Sequence, residues 1–354
     1  MIRVEMIQAE QGDCIWIEYG KSTATLQRIL IDGGVDATFK HLKKRLLRLP
    51  RKKRHFELLV ITHIDADHIA GILKLFEATS LGVTFGDIWF NGYRHLHTRA
   101  RLPRGVKQAE RVTRYLEQEH ISWNRAFQGH GVCVNKAEPF TPIELSGGMT
   151  LTLLSPTSKE LSKLAPHWLQ EAEKAGLFKE KSPYPTEITR SNSETQPLTI
   201  TQLAAAPFKP DNSLTNGSSI AFIAEYENKK MLFSGDASAV VLLHSLQAYL
   251  SQCQPLYLDL FKLPHHGSEG NISKELLERL RCSRYLISSN GAYHHHPDRV
   301  AIARVLQYGG NRPDLYFNYR SLYNEIWHDA SLQKQCRFSL HYPRKNQTGI
   351  RITL

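Results

Sequence analysis

Cysteine is scarce in this chain of 354 residues: five thiols, at positions 14, 133, 253, 282 and 336, odd in number and with no CxxC pair. That pattern excludes a disulfide framework and a cysteine-built zinc site, and it fits a reducing cytoplasm. Long apolar runs are missing as well. No stretch approaches the roughly 18 to 20 residues that a membrane-spanning helix needs. The opening MIRVEMIQAEQGDCIWIEYG has no charged segment leading into an apolar one. A soluble, unexported, cytoplasmic protein is expected. Acidic residues are outnumbered, 34 Asp and Glu against 45 Lys and Arg, for a net charge of +11. Such a surface disfavours basic partners and attracts polyanions.

The basic excess is concentrated in two places. Lys40 to Arg54 reads KHLKKRLLRLPRKKR, nine Lys or Arg with leucines at 42, 46, 47 and 49, the pattern of an amphipathic helix broken by Pro50. A second stretch, Arg94 to Arg125, carries Arg94, Arg99, Arg101, Arg104, Lys107, Arg111, Arg114 and Arg125, relieved by Glu110, Glu117 and Glu119. Each suits contact with DNA or RNA, and each suits a solvated face equally well; charge alone does not choose.

Strand-like runs end repeatedly in small polar clusters: ILIDGG (29–34), FELLVITHIDADH (56–68), KMLFSGDA (230–237), YLDLFKLPHHGS (257–268) and RYLISSNGAYHHHPD (284–298). Helical patterns follow them in IAGILKLFEA, SAVVLLHSLQAYL, SKELLERL and RVAIARVLQY. Alternating strands and helices predict a layered α/β fold in which strand ends gather the polar clusters on one rim. Residues from about 157 to 211, rich in Pro, Ser, Thr, Lys and Glu, read as an insertion. A tail from about 311 to 354 has strand-like pieces that can add edge strands, and the whole of 1–354 reads as one domain with these two additions.

The strongest chemical signal is THIDADH, where His63, Asp65, Asp67 and His68 place four metal-competent side chains within six residues between a strand and a helix start. The plain alternative is an aspartate-rich helix cap. As an ordered set, QGDCIWIEY with ILIDGG, THIDADHIAG, NGSSIAFIAEY, MLFSGDA, KLPHHGS and GAYHHHP resemble the metallo-β-lactamase superfamily. Within it they are most similar to the soluble metallo-hydrolase domain of competence protein ComEC and its stand-alone relatives. The resemblance implies a four-layer αββα sandwich and one or two divalent ions per chain, zinc or manganese, with magnesium as a further option. It implies that His63 and Asp65 serve one ion, that Asp67 and His68 serve a second, that Asp236 bridges them, and that His296 is the final histidine ligand. His265 is then either a ligand or the proton donor. Two departures stand out: Asp65 replaces the middle histidine of the wider superfamily, and LLSPTS stands where a further histidine is expected, with only His120 and His130 nearby and before that strand.

Three carboxylates and three imidazoles around two divalent ions leave a net charge of about +1, suited to an anionic phosphodiester. The additional oxygen ligand tilts the site toward manganese or magnesium. The expected chemistry is a metal-activated hydroxide, from water whose pKa falls from 15.7 to roughly 7, with Asp67 or Asp236 orienting it and His265 or His266 protonating the leaving oxygen. Lys262 reads either as a stabiliser of negative charge or as a solvated strand residue, and Asp13 and Asp32 read as structural supports. The leading reading is a phosphodiesterase or nuclease. Against it stand a hydrolase of a carbonyl substrate (lactone, thioester or β-lactam) and a non-catalytic nucleic-acid-binding partner in a DNA-uptake or defence system.

Overall fold

A computed structural model of the chain describes residues 1–96, 111–174, 199–250 and 254–354. The strands, in chain order, are β1 (Ile2–Ile7), β2 (Ile15–Tyr19), β3 (Gln27–Ile31), β4 (His55–Val60), β5 (Thr84–Trp89), β6 (Ile143–Leu145), β7 (Met149–Ser155), β8 (Ala221–Tyr226), β9 (Lys229–Phe233), β10 (Leu256–Leu258), β11 (Leu260–Lys262), β12 (Leu280–Cys282), β13 (Arg284–Ile287), β14 (Asp314–Phe317), β15 (Ser339–His341) and β16 (Gly349–Thr353). One sheet has the order β16-β1-β2-β3-β4-β5 and the other β15-β14-β13-β11-β9-β8-β7-β6, with β10 and β12 forming a short separate pair. Of the three strand-like pieces in the tail, DLYFNY becomes β14, paired on both sides, and the other two become edge strands of opposite sheets, β15 beside β14 and β16 beside β1.

The strands are apolar on both faces because both faces are covered. Successive residues of β3, β8, β9 and β13 alternate between two cores, since strand side chains point to opposite faces with period two. Ile29, Ile31, Phe222, Ala224, Met231, Phe233 and Leu286 meet between the sheets. Leu30 turns outward to Leu42, Leu46, Ile69, Ile72 and Phe76 of the helices Phe39–Leu47 and Ala66–Glu77. Ile223, Leu232, Tyr285 and Ile287 turn the other way, to Leu242, Leu246, Leu276, Ile302 and Val305 on the helices Ala239–Tyr249, Lys274–Glu278 and Arg299–Tyr308. The result is the helix, sheet, sheet, helix layering expected from the sequence. Each buried Leu, Ile or Phe contributes about 1.5–3 kcal/mol.

Three adjustments to the sequence reading have local causes. SKELLERL forms only the five-residue helix Lys274–Glu278, because Leu280 is recruited into β12 beside β10. The Lys40–Arg54 stretch is helical over Phe39–Leu47 and ends before Pro50. Within about 157–211, the helices Ser158–Leu164, Trp168–Lys174 and Ile200–Ala204 are formed, and residues 175–198 lie outside the described residues, as do Arg99, Arg101, Arg104, Lys107 and Cys253. Among the described residues no helix is long and apolar enough to cross a membrane.

β3 and β4 run parallel, as do β9, β11 and β13, so their carboxyl ends deliver Asp32, the THIDADH turn, Asp236, the HHGS turn and the HHHP loop to one rim. Besides its side-chain packing, the helix Ala66–Glu77 is held to the end of β3 by direct backbone contact. The Gly71 amide donates to the Gly34 carbonyl at 2.9 Å, and a Cβ on Gly71 would stand 2.0 Å from the Gly33 oxygen.

Candidate metal centre

Four imidazoles surround one carboxylate. The Nε2 atoms of His68, His266, His63 and His265 lie 3.3, 3.4, 4.0 and 4.0 Å from Oδ2 of Asp236. Asp67 joins from the helix start, its Oδ2 3.5 Å from His266 Nε2 and 4.0 Å from His68 Nε2. Asp65 lies 3.6 Å from His63 Nε2. The floor of this ring is sealed, with the side chains of His63, His68, His266 and Asp236 at most 4% exposed, whereas Asp67 and His265 are about a fifth exposed and Asp65 about a third. Solvent and substrate therefore reach the site from the Asp65, Asp67 and His265 side.

What fixes the rings is a set of bonds to their other nitrogens. Asp32 accepts from the Thr62 amide (2.8 Å), the Thr62 hydroxyl (2.7 Å) and His68 Nδ1 (2.8 Å). Because the Thr62 hydroxyl donates to Asp32, its oxygen is left to accept from His63 Nδ1, 3.0 Å away. Asn271 gives its amide protons to Asp211 and to the carbonyls of Asp236 and Ala237, so its Oδ1 accepts from His265 Nδ1 at 3.0 Å. The Nδ1 of His266 faces Asp13 Oδ1 at 3.3 Å. The three hydrogen bonds to His63, His68 and His265 place the ring proton on Nδ1 and turn an Nε2 lone pair inward, the arrangement by which outer carboxylates and carbonyls orient metal-binding histidines. The Asp65 side chain makes no helix-cap bond; its Oδ2 accepts from the Thr215 hydroxyl instead. That disposes of the helix-cap alternative.

The HHGS turn is built for aim. His265 and His266 both have left-handed backbone, φ 46° and 54°, which costs side-chain-bearing residues about 1–3 kcal/mol each. That conformation turns adjacent imidazoles onto the same carboxylate. Arg304, buried, braces the segment by donating to the carbonyls of Glu269, Ile272 and Ala206 at 2.8–2.9 Å, and the Asp211 amide closes onto Gly270.

The electrostatics match a cation site. Burial opposes charge on Asp236, but His68, His266 and His265 outweigh it and hold its carboxyl well below the usual range. Asp67 is likewise lowered, against burial, by His68 and His266. Burial opposes charge on His68 and His266 too, and the surrounding carboxylates, Asp236 first, raise both well above the ordinary imidazole value. Even so, His63 Nε2, His68 Nε2, His266 Nε2 and Asp236 Oδ1 are buried with no hydrogen-bond partner. Buried polar atoms in folded proteins are nearly always paired, and a cation at the centre of the ring would satisfy all four. Asp13, His68, Asp236 and His266 also group geometrically as metal-competent atoms within 4.8 Å of one another. Asp13, however, faces the outer nitrogen of His266 and is bound to Lys262 at 2.6 Å, so we place it behind the ligand ring.

Of the residues the sequence singles out, His63, Asp65, Asp67, His68 and Asp236 lie together in the structure. His266 lies as deep as His68, between Asp67 and Asp236. His296 stands one ring further out: its centroid is 5.1 Å from that of His265, its Nδ1 is 3.4 Å from Asp298, and burial lowers its pKa. Lys262 is neither solvated nor free to touch substrate; it is fully buried. Ser219, Asn271, Asn216 and Asp211 were missed by the sequence reading. They are single polar residues in loops, and NGSS is the one signal that could have pointed to two of them.

Residues 8–87 match the family model described as the metallo-beta-lactamase superfamily. That span runs from just after β1, through β2, to within β5, and holds Asp13, Asp32, His63, Asp65, Asp67 and His68. Among solved structures, the chain is similar to zinc-bound PqqB from Methylobacterium extorquens, with 12% identity over the full length of both chains and a TM-score of 0.47. It is similar to the diiron beta-hydroxylase CmlA from Streptomyces venezuelae, with 11% identity over all of this chain and a TM-score of 0.43, where it spans 54% of that protein. A metallo-beta-lactamase fold protein, YhfI from Bacillus subtilis, gives 10% identity over both full chains and a TM-score of 0.39.

Proposed function

We propose that the chain is a metal-dependent hydrolase of phosphodiesters, with His63, Asp65, Asp67, His68, Asp236 and His266 holding two divalent ions. The observation that carries this reading is the convergence of four imidazole Nε2 atoms on one buried carboxylate, with the opposite nitrogens of His63, His68 and His265 hydrogen-bonded and that of His266 facing Asp13. Divalent ions bound there would supply Lewis-acid polarisation and a nucleophile from water at neutral pH. The mixed imidazole and carboxylate donor set suits zinc or manganese, with magnesium the weaker fit. Asp67, partly exposed at the mouth, orients the incoming water. His265 acts on the opposite bond: Asn271 fixes its Nδ1, and its Nε2 carries a proton to the departing oxygen. Burial opposes that protonated state, but Asp236 and Asp211 raise the pKa of His265 and favour it.

The preference for an anionic phosphodiester over a carbonyl substrate rests on charge. Three carboxylates leave two divalent ions with about +1 net, and the chain as a whole carries +11. The ordered motifs THIDADH, SGDA and PHHGS add their similarity to the metallo-hydrolase domain of ComEC. For the polymer we assign the exposed Lys40, Lys43, Lys44, Arg48, Arg51, Lys52 and Lys53 as a nucleic-acid contact surface. Arg45 and Arg54 do not belong to it, because Arg45 is spent on Glu5 and Glu18 and Arg54 on the carbonyls of Leu49 and Leu81. From the second basic stretch, Arg94 stacks over Trp123 and Arg111 pairs with Glu77.

The test is hydrolysis of an aryl phosphodiester, single-stranded DNA and RNA with manganese or zinc, beside Asp67→Ala and Asp236→Ala. Cleavage lost in both variants supports the assignment. Metal uptake without phosphodiester turnover moves the reading to carbonyl substrates, and DNA binding that survives metal removal with no turnover moves it to a non-catalytic partner.

A further inference from the structure

Beneath the centre lies a fully buried line of charge that the proposed reaction does not use. Lys262 at the end of β11 donates to Asp13 Oδ2 at 2.6 Å and to its neighbour's carbonyl, Leu263, at 2.9 Å; Lys262 and Asp13 are 0% and 1% exposed. The other oxygen, Asp13 Oδ1, stands 3.3 Å from His266 Nδ1, and both are buried atoms with no hydrogen-bond partner elsewhere or, at this geometry, in each other. The loop carrying Asp13 is pressed onto the ligand turn: its amide donates to the Asp67 carbonyl at 3.3 Å, and a Cβ on Gly12 would stand 1.7 Å from that same oxygen.

We infer that Asp13 is the positioning residue for His266, and that Lys262 is there to keep the Asp13 carboxylate turned with its free oxygen toward Nδ1. An isolated buried ion pair contributes little net stability and is often replaceable by apolar residues, so stability alone gives it little reason to exist. Its geometry gives a better one. The ammonium takes one carboxylate oxygen, which leaves only an acceptor facing His266, and an acceptor there holds the ring proton on Nδ1 and the Nε2 lone pair toward Asp67 and Asp236. The inference rests on the metal-centre reading above.

The test compares two variants that both remove the charges: Asp13→Asn with Lys262→Met, and Asp13→Ala with Lys262→Met. Without the ammonium, the asparagine amide can turn its oxygen to His266 Nδ1, whereas alanine offers no acceptor. Zinc affinity, measured by chelator competition on protein shown to be folded by circular dichroism, is expected to be about 10–100-fold weaker in the alanine version, the usual loss when a ligand's outer partner is removed. Asp13→Asn alone is expected to bind more weakly than its own double variant, because Lys262 then claims the amide oxygen and the amide protons face His266. Equal zinc affinity in the two double variants would overturn the inference and leave the metal centre standing. A wild-type chain that takes up no zinc would remove the centre, and the inference with it.

Discussion

Stripping metal from the protein and restoring it should move its melting temperature by an amount the structure allows to be worked out. Four buried atoms in the ring, His63 Nε2, His68 Nε2, His266 Nε2 and Asp236 Oδ1, have no partner, and each such atom costs about 1–3 kcal/mol. An ion that binds only the folded chain stabilises it by about 2.7 kcal/mol at 100 times its dissociation constant. With an unfolding entropy of about 2.1 cal/mol/K per residue, 354 residues give about 0.7 kcal/mol per kelvin. One ion should therefore raise the melting temperature by about 4 °C and two by about 7 °C. Calorimetry of chelator-treated protein, before and after saturation with zinc or manganese, measures this, with Asp236→Ala as the control expected to show little shift.

The pH dependence of that shift has a definite sign. His68 and His266 have raised pKa values in the metal-free fold, where the carboxylates outweigh burial. Their charged forms stabilise the metal-free protein fully below the ordinary imidazole value of about 6.5, and that contribution is lost as pH rises through the raised values. Metal binding must displace the same protons, so the metal-induced shift should grow between pH 6 and pH 9. A melting temperature indifferent to saturating metal across that range would refute the reasoning.

Replacing Glu18 with Gln breaks a buried cluster in which Glu18 Oε1 meets Arg28 at 3.2 Å and Arg45 at 3.1 Å. The expected loss is about 3–5 kcal/mol, read as a fall of the chemical denaturation midpoint. Burial raises the Glu18 pKa, but Arg45 and Arg28 outweigh it and lower it; the difference between wild type and variant should thus persist above about pH 4.3, the ordinary glutamate value, and shrink as pH falls further. Asn271→Leu removes the acceptor from His265 Nδ1 and should lower kcat by about 10-fold or more while leaving zinc stoichiometry unchanged; steady-state kinetics beside metal analysis checks both. Reversing Lys43, Lys44 and Arg48 to glutamate should weaken single-stranded DNA binding and flatten its salt dependence by about 0.7 per lost phosphate contact, with aryl phosphodiester turnover unaffected; unchanged binding would count against that surface.

How much of this was legible in the sequence depends on how local the signal was. THIDADH announced itself because four donors fall within six residues, and the strand-end clusters followed from the alternation of apolar runs and turns. The helix layers were equally readable from their periodicity. What could not be read was depth. Nothing in KLPHHGS says that Lys262 is sealed against Asp13 or that His266 outranks His296 in closeness to Asp236, because both depend on how far β11 and β13 project past the neighbouring strands. The polar residues that hold His265, namely Asp211, Asn216 and Asn271, come from separate loops and carry no spacing that would have tied them together.

The backbone lock between Gly71 and the end of β3 gives the protein an unusual map of what can be changed. The helix that carries Asp67 and His68 approaches the loop after Asp32 closely enough for backbone to meet backbone, a contact in which no side chain takes part. The site should therefore tolerate exchange of many neighbouring apolar residues, yet lose its register to a single methyl group on a residue with no chemistry of its own. In a saturation survey of the chain, position 71 should accept as few alternatives as the histidines themselves, and a search for functional residues that looks only at reactive side chains would pass over it.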